Sequence, residues 1–110
     1  MKKLGVIVVG GAGRVGEKHI ATWLKIPYTK VKVIVDVNEE RAKSICNRYR
    51  VEKHYANLED ALTREKEIEI VDVATPTRFH HPHTMLSLEE GKHVIIEKPM
   101  ALTSKECEEM

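Results

Sequence analysis

The chain opens with Leu4-Gly5-Val6-Ile7-Val8-Val9-Gly10-Gly11-Ala12-Gly13-Arg14-Val15-Gly16, an apolar run that breaks into G-x-G-x-x-G at Gly11, Gly13 and Gly16. A helical pattern follows at once. Three demands meet in such a stretch: a strand must end, the backbone must turn sharply, and an anion must reach the amides at a helix start. Gly11 permits the turn, Gly13 leaves no side chain between backbone and phosphate, and Gly16 lets the helix sit close on the sheet. Twenty residues beyond Gly16, Asp36 closes a second apolar run, Val31 to Val35, and is placed to accept hydrogen bonds from a ribose hydroxyl. Turn, helix start and acid together predict a dinucleotide, with Arg14 and Val15 among the residues that border it.

Two plainer readings stand beside this one. The glycines could serve chain geometry alone, and Asp36 could cap the next helix. A nucleoside-triphosphate loop is excluded, because Gly16 is followed by Glu17, Lys18 and His19 and the magnesium-binding hydroxyl is missing. A carboxylate at position 36 repels a 2′-phosphate and no arginine immediately follows it, which favours NAD. Arg41, one turn further on, leaves NADP open.

Outward from the turn, short apolar runs alternate with longer helical patterns. Leu4–Val9, Val31–Val35, Ile70–Ala74 and His93–Ile96 are rich in Val and Ile without polar alternation, which predicts parallel strands covered on both faces. Lys53–Tyr55 reads as a short edge strand. Between them, Gly16, Ile20, Trp23 and Leu24 share one helical face that ends before Pro27. Ala42, Ile45, Cys46 and Tyr49 fall at i, i+3, i+4 and i+7. Leu58, Ala61 and Leu62 predict a brief helix after Asn57. Pro82 suits the first turn of a helix that carries Met85 and Leu88 inward and stops at Gly91. Thr103-x-x-Glu106 is a capping box that opens a last helix. The expected architecture is α/β, a doubly wound parallel sheet of the Rossmann type. Ligands in such sheets bind beyond the carboxyl ends of the strands, where the strand order reverses.

Composition narrows the partners. In 110 residues, 18 Lys and Arg nearly cancel 17 Asp and Glu, and no basic stripe stands out, so nucleic acid is not an expected partner. The length suits one domain, residues 1–110, and is small for a complete dehydrogenase. Cys46 and Cys107 form no disulfide framework and no metal spacing, and Cys46 falls on an apolar helix face as a core residue. The first apolar stretch is too short to span a membrane and is needed as a strand, so the expected location is the cytoplasm.

Two further loops carry unusual residues. Thr75-Pro76 ends a strand with a hydroxyl and a stiff, donor-free residue. His80-His81-Pro82-His83 invites a metal, but its spacing matches no usual pair of helical ligands and no Cys or carboxylate joins it, so no metal is expected. A histidine there more often caps or orients. Glu97-Lys98-Pro99 follows the last strand, where a nicotinamide would lie. Lys98 could hydrogen-bond a substrate oxygen and steady charge as hydride moves. The bland alternative is a surface ion pair between Glu97 and Lys98.

Taken in order, these pieces resemble the glucose–fructose oxidoreductase / inositol dehydrogenase (Gfo/Idh/MocA) family. Gly11-Ala12-Gly13-Arg14-Val15-Gly16-Glu17-Lys18-His19 matches its glycine motif followed by histidine. Thr75-Pro76-Thr77-Arg78-Phe79-His80 matches T-P-x-x-x-H, and Gly91-Lys92-His93-Val94-Ile95-Ile96-Glu97-Lys98-Pro99 matches G-K-H-V-x-x-E-K-P. The resemblance covers essentially the whole chain. It implies that Gly11, Gly13, Gly16 and Asp36 hold NAD, that Thr75, Pro76 and His80 border its nicotinamide end, and that Glu97 and Lys98 sit at the reacting centre. Lys98 would be the catalytic residue, and Pro99 would set the loop's path, with a cis bond available to it. The implied reaction is reversible hydride transfer between a nicotinamide and a sugar, cyclitol or related small molecule. Relatives add a further strand and a second α/β domain that supplies most of the substrate pocket and commonly the oligomer interface. The 110 residues therefore resemble the cofactor half, expected to be inactive alone. The alternative is a non-catalytic nucleotide-binding or interaction module that presents an open sheet edge to another chain.

Overall fold

The computed structural model describes residues 2–110. Five strands form one parallel sheet: β1 (Leu4–Val9), β2 (Thr29–Val35), β3 (Lys53–Tyr55), β4 (Ile70–Val73) and β5 (His93–Ile96), in spatial order β3-β2-β1-β4-β5. The helices are α1 (Arg14–Trp23), α2 (Glu39–Tyr49), α3 (Leu58–Arg64), α4 (His80–Glu89), entered through a 3₁₀ turn at Thr77–Phe79, and α5 (Ser104–Glu109). The chain winds from β1 outward to β3, then returns to the other side of β1 for β4. The strand order therefore reverses between β1 and β4, and the crevice expected for a ligand opens there.

Alternation along β1 divides the core into two halves. Val6 and Val8 pack with Ile20 of α1 and with Ala42, Ile45 and Cys46 of α2. Ile7 and Val9 face the opposite way, onto Leu58, Ala61 and Leu62 of α3. Both faces of the central strands are thus covered, as their uninterrupted apolar runs require. β2 departs from simple pairing: Val6 opposes Val31 but Ile7 opposes Val33, so Lys32 is an extra residue at a bulge. The bulge explains a lysine inside an apolar run. Its ammonium leaves the sheet to reach the Lys66 carbonyl at 3.2 Å.

Local signals close the helices. Asn38, Asn57 and Thr103 accept hydrogen bonds from the amides of Arg41, Asp60 and Glu106, and so cap α2, α3 and α5. Gly91 takes φ +75° after α4, while Lys92 N–H donates to the Ser87 carbonyl and Gly91 N–H to that of Leu88. This is a Schellman motif.

Three sequence expectations need correction. Leu24 lies one residue past the end of α1 and is 51% exposed, so it does not share the buried face. α4 starts at His80 with Pro82 in its first turn, as expected, but it buries His80, Thr84 and Ser87 while Leu88 is 42% exposed. The face is set by the two hydrogen bonds of His80, described below, which outweigh the burial of Leu88. β5 is an edge strand whose outward residues His93 and Ile95 are exposed. Beside Ile95, an open groove of about 350 Å³ runs along α1, lined by His19, Thr22, Trp23, Ile26 and Asp72. Its apolar run does not imply cover on both sides. No helix among the described residues is long and apolar enough to cross a membrane.

Candidate cofactor and active site

The glycine turn sits at the carboxyl end of β1. The sharp bend is made by Gly10, with φ +80°, and not by Gly11 as the motif alone suggests. Gly11 is required for space, since a Cβ there would lie 2.7 Å from Ile34. Gly16 is tighter still: a Cβ would come within 2.0 Å of the Gly10 carbonyl oxygen, so the helix packs directly on the turn. Gly13 differs from both. Its missing Cβ would meet only the Gly10 oxygen, at 3.3 Å, and the residue is exposed. That side of the turn faces outward.

Gly13 is also the N-cap of α1 and supplies no capping side chain. The helix start is thus free of a competing side-chain oxygen, with Arg14 and Val15 exposed beside it. A phosphate fits such a place through amide hydrogen bonds and the helix dipole.

Asp36 turns back toward this turn. Its Oδ2 accepts from the Ala12 N–H at 3.1 Å and its Oδ1 from the Asn38 N–H at 3.0 Å. Capping of α2 falls to Asn38, so the plain alternative for Asp36 does not describe its position. Each carboxylate oxygen retains capacity to accept from a hydroxyl. Arg41 grips the same turn, donating through Nη2 and Nε to the Ala12 carbonyl at 2.7 and 3.2 Å. Glu17, where a triphosphate loop would need lysine, instead accepts from Tyr49 and Arg48 at 2.8 and 2.6 Å and ties α1 to α2. Those hydrogen bonds, Tyr49 first, hold its carboxyl below the usual range.

On the far side of the crevice, Thr75 and Pro76 follow β4, and Glu97-Lys98-Pro99 follows β5. The Lys98–Pro99 bond is cis. Lys98 is exposed. Among the described residues no ion pair joins it to Glu97, whose Oε1 lies 2.8 Å from His19 Nε2 instead. His80 is 1% exposed and faces inward: its Nδ1 lies 2.9 Å from the Pro99 carbonyl and its Nε2 2.8 Å from that of Thr75. It joins the two loops from behind, with both nitrogens engaged. His83 stands 3.4 Å from the Thr75 hydroxyl, and burial, with the charge of His80, pushes its imidazole below the usual histidine range.

Asp72 was not singled out in the sequence, and His19 entered only through the glycine motif. Asp72 lies inside β4 at 1% exposure and accepts from Trp23 Nε1 at 2.7 Å. Its carboxylate also meets His19 Nδ1 at 2.8 Å. The signal was an acid in the middle of the apolar run Ile70–Ala74. Burial pulls the His19 imidazole down, but hydrogen bonds and charge from Glu97 and Asp72 outweigh it and leave it raised. Cys46 is buried, and burial pushes its thiol up, as befits a core residue.

Residues 4–110 match the family model described as an oxidoreductase family with an NAD-binding Rossmann fold. The chain belongs to the Gfo/Idh/MocA family. It is 34% identical, over 96% of its length, to the inositol 2-dehydrogenase/D-chiro-inositol 3-dehydrogenase of Shouchella clausii, and covers 30% of that protein. The crystal structure of GenD2 from gentamicin A biosynthesis in complex with NAD superposes with a TM-score of 0.91 at 28% identity, covering 99% of this chain and 30% of that one. Scyllo-inositol dehydrogenase from Lactobacillus casei, solved with NAD(H) and scyllo-inositol, gives a TM-score of 0.89 at 27% identity, over 98% of this chain and 32% of that one. The chain thus spans about a third of the length of its Gfo/Idh/MocA relatives, and its fold is the family's NAD-binding Rossmann domain.

Proposed function

We propose that residues 1–110 form the cofactor-binding half of an oxidoreductase that moves hydride between NAD and a sugar, cyclitol or related small molecule. One observation carries the reading: the Asp36 carboxylate is held at the glycine turn, beside an α1 start that no side chain caps. Gly11, Gly13, Gly16, Arg14 and Val15 would border the pyrophosphate, and Asp36 would accept from the adenosine ribose. A 2′-phosphate would meet that carboxylate, which favours NAD over NADP. Bound NAD supplies a nicotinamide carbon that takes or gives hydride. Thr75 and Pro76 would border that end, and His80 would act on it through the loops it joins. Lys98, unpaired with its neighbour, is free to hydrogen-bond a substrate oxygen and hold the proton that this oxygen loses or gains. Glu97 would steady the lysine's loop. The two unbridged cysteines and near-neutral charge suit a cytoplasmic protein with a small-molecule substrate and no nucleic-acid partner. Oligomer formation would fall to surfaces elsewhere in such an enzyme.

Calorimetric titration with NAD⁺ tests the reading. Saturable heat is expected, and Gly13→Val should weaken binding by at least about tenfold, roughly 1.4 kcal/mol, by filling the phosphate's approach. Absence of heat with both NAD⁺ and NADP⁺ would refute it. Equal affinity in the Gly13→Val protein would remove the pyrophosphate from this turn.

A further inference from the structure

Lys98 stands between two residues that are held by histidines from different helices. His80 of α4 meets the Pro99 carbonyl on one side, at 2.9 Å. His19 of α1 meets the Glu97 carboxylate on the other, at 2.8 Å. The His19 ring does not stop at Glu97, since its Nδ1 lies 2.8 Å from Oδ2 of the buried Asp72. An ionised carboxylate can only accept, so a ring placed between two of them is fully satisfied only when both nitrogens donate. Trp23 Nε1 fills a further lone pair of Asp72 and fixes its orientation. The charged groups facing His19 are thus Asp72 from β4 and Glu97 from the loop after β5, while Trp23 on its own helix is neutral.

We propose that His19 is a positioning residue for Lys98: a doubly protonated imidazole that ties Glu97 to Asp72 and so fixes the loop bearing the lysine. Because His19 lies on α1, the helix whose start borders the dinucleotide also sets where the lysine stands. Cofactor and proton-handling group then share one rigid support, the arrangement hydride transfer needs for alignment. The inference rests on the reading of Lys98 as the group that meets substrate. It goes beyond a strut between α1 and the sheet, because a strut would need Asp72 alone.

The test is nuclear magnetic resonance of the protein labelled with ¹⁵N, following the imidazole nitrogens from pH 5 to 9 and the backbone order parameter at Lys98. In the wild type both His19 nitrogens should carry protons at pH 7, and the ring should titrate above the usual histidine range. Glu97→Gln should lower that titration and drop the Lys98 order parameter from about 0.85 toward about 0.6. His19→Ala should loosen Lys98 in the same way, and His19→Gln, which keeps one donor toward Glu97, should restore part of the order. A singly protonated His19 at pH 7, or a Lys98 equally ordered in the Glu97→Gln protein, would overturn the proposal. Should His19→Ala not fold, Glu97→Gln still decides, since it alters the same contact from the less buried side. The titration with NAD⁺ is read separately. Its failure would remove the cofactor reading and leave the state of the His19 ring as measured.

Discussion

The chemistry proposed for Lys98 rests on an exposed amine that its neighbour leaves free, because Glu97 is turned toward His19. In an enzyme that also carries the substrate-binding half, Lys98→Ala should therefore lower turnover of a cyclitol or sugar with NAD⁺ by about 10²- to 10⁴-fold, the usual worth of a positioned proton-transfer group. Undiminished turnover in a steady-state assay would exclude the lysine from the reaction. His19 makes a second prediction, on stability. Its folded pKa is raised above the unfolded value of about 6.5, so its stabilising contribution is complete below pH ~6.5 and fades as pH rises through the folded value. The wild type should exceed His19→Gln in urea stability by more at pH 5.5 than at pH 9. A difference independent of pH would mean that folding leaves the affinity of the ring for its proton unchanged, and a larger difference at pH 9 would mean that the ring is neutral when folded. Asp72 shows why this network was hard to read in the chain: a single acid inside an apolar strand has no local partner, and its partners lie 49 and 53 residues away, at Trp23 and His19.

Among the elements, those whose pattern comes from a continuous hydrophobic stripe were legible at once. In α2, Ala42, Ile45 and Cys46 are buried as their spacing requires, and Asn38 caps the helix. The strands followed from Val and Ile content, and the glycine turn from its motif. α4 was not legible in the same way. Its inward face is polar, and the reason is tertiary: His80 must reach the carbonyls of Thr75 and Pro99, which rotates Thr84 and Ser87 inward. Ser87 is satisfied by the His83 carbonyl at 2.8 Å, so its burial needs no distant partner. The contrast can be measured. Ile45→Ala should cost about 2–5 kcal/mol, and Leu88→Gln should stay within about 0.5 kcal/mol. Comparable losses in denaturant melts would place Leu88 in the core after all. The candidate site was legible to the same degree as its motifs, since Asp36 and the glycines stand together, while the contacts on either side of Lys98 join α1, β4 and α4 to the loops after β4 and β5, which no spacing encodes.

For the molecule as a whole, the sheet divides two apolar layers and gathers its loops along one rim, so residues far apart in the chain reach a common crevice between β1 and β4. The even covering ends at β5, where Ile95 is 46% exposed beside the groove along α1. The family relation accounts for the rim, and the two packed layers hold the strands whose ends form it. The extra residue in β2 has a less expected effect. Val31 and Val33 belong to opposite layers although a single residue separates them, and Ile34 and Val35 continue that alternation. Removing Lys32 would give Val31-Val33-Ile34-Val35, an unbroken in-and-out sequence with Asp36 still at the mouth of the glycine turn. A 109-residue version, counted as the 110 of the chain less one, should fold and keep its affinity for NAD⁺, shedding the lysine's tether to the Lys66 carbonyl and its ion pair with Glu67 at 3.8 Å. Loss of cooperative melting in that shortened protein would show that the bend is indispensable; its persistence would mark position 32 as a spare stitch in an otherwise seamless weave.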